Sequence, residues 1–432
     1  MFEILFLAST GILIFSCIYF EFDFLEPSVI LATLMTFSIF IASQFAEHWG
    51  YDVGIRSIVC ISLALLAFTF GSIFARRNFF HSQIKKDPSS KSETRIDVAI
   101  WKIFLALILI SILLAFNFKE SYELSRELGN YSGISNMIPT NRWAIESGIA
   151  SFSRWTYYRA MIAQTFAYVS IYIFIRNLAD FRLKDLWLTL PMIFFIPFII
   201  LNTGRMWLIC LVIYILIVAG ILRRKSNFST LKIFFISGIC FYAMFLLLGL
   251  FTGKTLMGNR SIGEIFVHYA GLSIPALEVA LNQIWYETTA IGEYTLLGVY
   301  RVASKFIELP EVPLFLPFVQ FHGIDTNVFT AEARYVKDFG FIGMAAVMWI
   351  LGVTYSSIYN FVLRSRNSLA LMFYGYLASP LFLSSIDERF FLDFFGTTSI
   401  YMLILIFSWE KFLNGGIRWR AGFLKIFSRS SR

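Results

Sequence analysis

A chain of 432 residues, 58% apolar and only 15% charged, with a mean hydropathy of +0.70, is too apolar for a water-soluble globular domain, where about 45–50% is usual. Its net charge of +8 does not point to nucleic acid, because the basic residues sit in short segments between apolar runs. That placement fits topology control and contact with anionic lipid headgroups. The cysteines, Cys17, Cys60, Cys210 and Cys240, all fall inside apolar runs, which argues against disulfides and Cys-based metal sites and leaves them as small buried hydrophobes.

Apolar runs of about 17–22 residues match a hydrocarbon core about 30 Å thick. No alternating strand pattern accompanies them, and backbone in lipid must satisfy its own hydrogen bonds, so each run predicts a helix. In chain order the predicted spans are 3–20, 26–46, 54–75, 99–117, 155–175, 186–202, 206–222, 230–251, 340–362, 368–386 and 395–412. The first lacks a basic leader and a small-residue cleavage site, which predicts a retained span. The expectation is an all-α polytopic bundle of about eleven spans, ten to twelve, forming a single integral membrane domain over 1–432.

Lys and Arg in short loops set the orientation. The loop 76–98 contains RRNFFHSQIKKDPSSKSETRID, and 176–185, Arg223-Arg224-Lys225, 364–367 and the tail 413–432 with Lys411 before it are basic too. These segments alternate so that all fall on one side, expected to be cytoplasmic, with the N-terminus outside. The acidic turn Glu21-Phe22-Asp23 on that side runs against the rule. The outward segments are then 118–154, the turn 202–205, the large and partly helical stretch 252–339, and 387–394. An additional span near 262–284 would alter the count without moving these segments.

Positive charge usually avoids the outer side, yet Arg142, Arg154, Arg159, Arg205, Arg260, Arg301, Arg334 and Arg389 all fall there. Arginine offers a planar fork of donors suited to phosphate oxygens and keeps its charge when partly buried. Several converging at a membrane face would make a site for a lipid diphosphate; pairing with nearby carboxylates or headgroups is the plainer explanation for any one of them. Arg205 ends the short turn Leu201-Asn-Thr-Gly-Arg205 between two spans, which holds its guanidinium near the headgroups; snorkelling is the alternative.

A second constellation is HGIDTNVFTAEARYVKDFGFIG, residues 322–343, carrying His322, Asp325, Asn327, Glu332, Arg334, Tyr335 and Asp338 before a span. A helix from Asn327 would turn Glu332 and Arg334 to different faces and set Arg334 and Asp338 as an i,i+4 ion pair. Asp325-Thr-Asn327 resembles a turn or N-cap. The glycines near 340 and 343 are suited to close helix packing. Of the other histidines, His48 lies at an outer span end, His268 near the additional span and His81 in the cytoplasmic loop. Trp143, Trp155, Tyr157, Tyr158, Trp285, Tyr286 and Tyr294 border the outer loops, where an interfacial belt accounts for most of them.

The turn Asn202-Thr-Gly-Arg205, the stretch Thr326-Asn-Val-Phe-Thr330 with Tyr335 and Asp338-Phe-Gly340, and the layout of spans around a dominant outer loop together resemble the Wzy-type polymerases of O-antigen and capsule repeat units. The resemblance implies a glycosyltransferase at the outer, periplasmic face of the bacterial plasma membrane. Its substrates would be oligosaccharides on polyprenyl (undecaprenyl) diphosphate, with membrane lipids around it, a chain-length regulator as a further partner, and no nucleic acid. It implies no cofactor. No Asp-x-Asp motif is present, so arginines would stabilise the diphosphate leaving group in place of a metal. On this reading Arg205 and Arg334 hold the diphosphate, Glu332, Asp325, Asp338 or His322 supplies the base, and Arg142, Arg154, Arg260, Arg301, Arg389, Asn327 and Tyr335 contact substrate. An O-antigen ligase would share this arginine-rich outer face. A flippase for the same lipids would place ionisable residues within the spans and show related halves, neither of which is evident.

Overall fold

In a computed structural model the chain is described over residues 1–79, 95–130, 133–204, 206–224, 232, 262–282, 291–304, 306–309, 316–365, 367–394 and 396–414. It is 79% helical. The helices are α1 (Phe2–Tyr19), α2 (Pro27–Trp49), α3 (Ile55–Phe79), α4 (Ile100–Glu127), α5 (Met137–Glu146), α6 (Arg154–Asn177), α7 (Leu190–Leu201) and α8 (Met206–Leu222). They continue as α9 (Ile262–Gly271), α10 (Ser273–Asn282), α11 (Leu297–Ala303), α12 (Glu332–Ser365), α13 (Ser368–Leu377), α14 (Ser379–Leu383), α15 (Phe390–Phe394) and α16 (Thr397–Asn414). One antiparallel hairpin, β1 (Val319–Phe321) and β2 (Ile324–Thr326), pairs Gln320 with Asp325.

Among the described residues seven helices are long and apolar enough to cross a membrane, or eight if the bent pair α9–α10 is one broken span. The expected count of about eleven is therefore matched only in part among the described residues. The predicted span 230–251 lies outside the described residues, α8 is short, and the predicted span 368–386 is divided between α13 and α14. Within the stretch 252–339, α9 and α10 fall where an additional span was allowed near 262–284. α9 and α10 bend by 42° and pack along the bundle: the Ser38 hydroxyl donates to the carbonyl of Ala270, and Gly271 lies against the backbone of Ala42. Glu278 of α10 accepts the Ser57 N–H at 3.3 Å, satisfying an orphan donor at the start of α3.

Local chemistry sets the breaks. Pro27 opens α2, where its missing N–H costs nothing, and Gly50 closes it in the left-handed region with φ 62°. Inside α12, Gly340 has φ 65° and ψ −175°, a conformation essentially reserved for glycine. It separates a short N-terminal piece, 332–339, from the long apolar piece that follows. That long piece crosses α3 at close range: a Cβ on Gly352 would fall 2.1 Å from the Phe68 carbonyl oxygen, and one on Gly71 2.2 Å from that of Trp349. The small residues that bring these helices together are thus Gly71 and Gly352. Gly343, expected to serve this purpose, faces its own Phe339. α6 is the most buried long helix, whereas α1 and α4 present apolar side chains such as Leu7, Ile18, Trp101 and Ile108 outward, a surface that only lipid or another apolar partner covers cheaply.

One end of the bundle gathers the basic segments. Arg76 of α3 pairs with Glu21 at 2.9 Å, Arg224 after α8 pairs with Asp23 at 3.0 Å, and the Tyr359 hydroxyl donates to Asp23 at 2.8 Å. Arg223 reaches the carbonyl of Ile175, Arg95 pairs with Asp185 at 2.8 Å, and Lys102 donates to the carbonyl of Phe412 at 2.7 Å. The acidic turn that ran against the charge rule is therefore a partner of the basic residues around it. Glu26, the N-cap residue of α2, is buried here beside the Ser356 hydroxyl, which donates at 2.6 Å. Burial, helped by the Asp23 charge, pushes its carboxyl up to about 8 against the pull of Ser356, Arg76 and Arg224.

Candidate functional site

At the opposite end, three segments distant in sequence converge: the short helical piece 332–339, the turn 291–297 and the loop 386–390. The Ala331 N–H donates to the carbonyl of Ser384 at 2.8 Å, tying the first to the third. The Asp338 carboxylate accepts the backbone N–H of Thr295 at 2.6 Å and of Tyr294 at 3.3 Å, tying the first to the second. Asp338 is thus committed to the turn, and the i,i+4 ion pair with Arg334 expected from sequence is not made.

Arg334 points to the loop instead. It is 4% exposed, donates to the Tyr294 carbonyl at 3.4 Å and lies 3.9 Å from Asp387 Oδ1. Arg389 reaches the other oxygen of the same carboxylate at 3.2 Å. Two of the arginines singled out in the sequence therefore converge on one acid. Beside them the Tyr335 hydroxyl donates to Glu388 Oε1 at 2.8 Å, and the Phe391 N–H donates to that oxygen at 2.9 Å. Burial pushes the Glu388 carboxyl up to about 7, and Asp387 adds to the push; the Phe391 N–H, the Tyr335 hydroxyl and the Arg334 charge oppose it. Lys337 stands over the Tyr294 ring at 6.0 Å.

Glu332 turns to the other face of the helix, as the spacing predicts, toward Cys60 of α3. It is fully buried, and among the described residues neither carboxylate oxygen has a hydrogen-bond partner. His322 and Asp325 lie elsewhere. His322 occupies the hairpin turn with φ 42° and sits over Gly50, where a Cβ would meet its ring at 2.0 Å. Asp325 is an exposed strand residue opposite Gln320, not a turn or cap; the Thr326 hydroxyl accepts the Val328 N–H. No hydrogen bond or ion pair among the described residues joins either to Arg334. Asn327 is half-buried between the hairpin and α12.

The remaining arginines divide. Arg142 is buried on α5 and Arg154 is exposed at the start of α6. Arg159 pairs with Glu120 and Asn117, so partners on the neighbouring helix account for its charge. The backbone of Arg301 belongs to α11. Arg205 and Arg260 lie outside the described residues. Asp387, Glu388 and the Tyr294 carbonyl were not singled out from the sequence. Only their neighbour Arg389 was, and nothing in a run such as Ser385-Ile-Asp-Glu-Arg389 shows which side chain turns inward.

A groove of about 520 Å³ between α4 and α7, lined by Phe104, Leu107, Ile108, Ile112 and Phe194 among others, is apolar and lacks ionisable groups. Charged side chains gather instead around Asp387, with Arg334 and Arg389. Among the described residues no three His, Cys, Asp or Glu side chains are grouped to hold a metal ion. No protein family, no curated protein and no solved structure matches the chain.

Proposed function

We propose that this protein is a membrane glycosyltransferase that polymerises polyprenyl-diphosphate-linked oligosaccharide repeat units at the outer face of the bacterial plasma membrane. The observation that carries the reading is the convergence of Arg334 and Arg389 on Asp387, at the end of the bundle opposite the basic loops. By the charge rule those loops are cytoplasmic, which sets the arginine cluster outside. No nucleotide donor is present there, so the lipid diphosphate itself supplies the activated leaving group.

Cleaving the sugar–phosphate bond concentrates charge on the departing diphosphate. Guanidinium groups fixed in a poorly hydrated site stabilise that charge without reorganising, and their forked donors match two phosphate oxygens at once. In this account the diphosphate takes the place of Asp387 between Arg334 and Arg389. Arg205, Arg142, Arg154, Arg260 and Arg301 remain proposed as further contacts to the carrier.

The test is glycan chain length in cells that otherwise make the polymer. Arg334→Lys and Arg205→Ala, expressed at the level of the parent protein, are expected to leave single repeat units on the carrier. Long chains of normal distribution from Arg334→Lys would remove the arginine cluster from the reaction. Products appearing only as preformed chains on a core lipid would identify a ligase.

A further inference from the structure

The proposed reaction requires a group that takes the acceptor's proton, and the sequence offers Glu332, Asp325, Asp338 and His322 without choosing among them. Their placement argues against each. Asp338 is held by two backbone N–H groups of the 294–295 turn, and His322 and Asp325 belong to the hairpin over Gly50. Glu332 lies close enough to α3 for its charge to act on Cys60, and among the described residues it makes no ion pair with Arg334 or Arg389.

We infer that Glu388, which the sequence did not single out, is the proton acceptor of the reaction. Its Oε1 is fixed from two directions, by the Tyr335 hydroxyl at 2.8 Å and the Phe391 N–H at 2.9 Å. Its Oε2 has no hydrogen-bond partner among the described residues. One oxygen is positioned and the other is left to bind a proton. The residue lies between Asp387 and Arg389 in sequence, next to one of the two arginines that would hold the diphosphate, and the other, Arg334, is close enough to act on its charge.

The acceptor O–H bond breaks and its proton passes to Glu388 Oε2, while the acceptor oxygen bonds to the anomeric carbon of the donor. The bond from that carbon to the diphosphate oxygen breaks, and the electron pair leaves on the polyprenyl diphosphate, held by Arg334 and Arg389. Oε2 is shielded from solvent, so proton transfer follows entry of the acceptor. The groups acting on Glu388 are Arg334 and Tyr335 from α12 and Asp387 and the Phe391 N–H from its own segment, while Arg389 closes on Asp387. A carboxyl whose affinity for protons lies near neutral pH suits general-base work at the outer face.

This inference rests on the polymerase reading, and the experiment separates the two. Chain extension is measured in membrane vesicles carrying the protein and its lipid-linked repeat units, across external pH 5.5–9. Binding of undecaprenyl diphosphate to the purified full chain is measured alongside. Glu388→Gln is expected to lower extension about 100-fold or more while binding undecaprenyl diphosphate as the parent does. Tyr335→Phe removes a hydrogen bond that favours the charged carboxylate, so the acid limb of the profile moves up by about one pH unit. A purely structural tyrosine would lower the rate without moving that limb.

Extension by Glu388→Gln at the parent rate overturns the assignment and leaves the polymerase reading intact, provided Arg334→Ala loses undecaprenyl diphosphate binding. Unchanged binding by Arg334→Ala sinks the polymerase reading itself, and this inference with it. Should Glu388→Gln fail to fold, the Tyr335→Phe profile decides: an unmoved acid limb overturns the assignment.

Discussion

Arg334 approaches Asp387 to 3.9 Å from a nearly fully buried position, and the same carboxylate is held at 3.2 Å by Arg389. A lysine at position 334 keeps the charge and loses the planar fork. Arg334→Lys is therefore expected to fold with a melting temperature near that of the parent and to extend glycans about 100-fold more slowly. Thermal denaturation in detergent together with a chain-length ladder checks both halves. Arg334→Ala is expected to be worse on both counts, since it leaves a partly buried carboxylate short of a cation.

The crossing of α3 and α12 at Gly71 and Gly352 brings the two backbones so close that no side chain fits between them. Gly352→Ala places a methyl carbon against the Phe68 carbonyl, so the helices must separate and lose packing along the interface. The expected cost is about 1–3 kcal/mol, the usual penalty for overpacking. It is read as a lower melting temperature of the purified protein, and Gly71→Ala should behave alike. An unchanged melting temperature in both variants would show that the crossing is not a tight one.

Gly340 separates the part of α12 that carries Arg334, Tyr335 and Asp338 from the part that packs on α3. A Cβ there meets nothing within 4 Å, so the penalty of Gly340→Ala comes from the backbone alone. At φ 65°, ψ −175° that penalty is about 1–3 kcal/mol. Relieving it requires the short piece to rotate against the long one, which shifts Arg334 relative to Asp387. Activity is expected to fall about tenfold or more while undecaprenyl diphosphate still binds, since a displacement of about 1 Å can be that costly. Parent-like activity would show that the break does not orient the site.

At the other end of the bundle, Glu26 has a carboxyl raised from an ordinary 4.5 to about 8. The folded chain holds this proton more tightly than the unfolded chain does, so the group stabilises the fold at low pH. The contribution is complete below about 4.5, declines as pH rises and is gone above about 8. It amounts to about 5 kcal/mol at most. The melting temperature is expected to fall between pH 5 and 8, and Glu26→Gln should flatten that slope. An equal slope in both proteins would assign the dependence to other groups.

The membrane helices were legible because lipid leaves the backbone one solution: the runs at 3–20, 26–46, 54–75, 99–117 and 155–175 became α1, α2, α3, α4 and α6. The alternation of basic loops was legible too, since Arg76, Arg224, Arg95 and Lys102 do meet at one end. Within the site, Arg334, Tyr335, Asp338 and Arg389 were singled out and lie together. Their partners were not legible, because Asp387, Glu388 and the Tyr294 carbonyl acquire meaning only through tertiary contact. The i,i+4 rule paired Arg334 with Asp338, but two backbone donors at the 294–295 turn claim that carboxylate first. The hairpin under His322 was missed because its strands are three residues each, too short for an alternating pattern to register.

The most direct measurement is a cryo-electron microscopy structure of the full chain in lipid with undecaprenyl diphosphate added. Phosphate oxygens are expected at about 2.7–2.9 Å from the guanidinium nitrogens of Arg334 and Arg389, with Asp387 turned away from both. Diphosphate bound at another face of the bundle, with Arg334 and Arg389 still closed on Asp387, would contradict this.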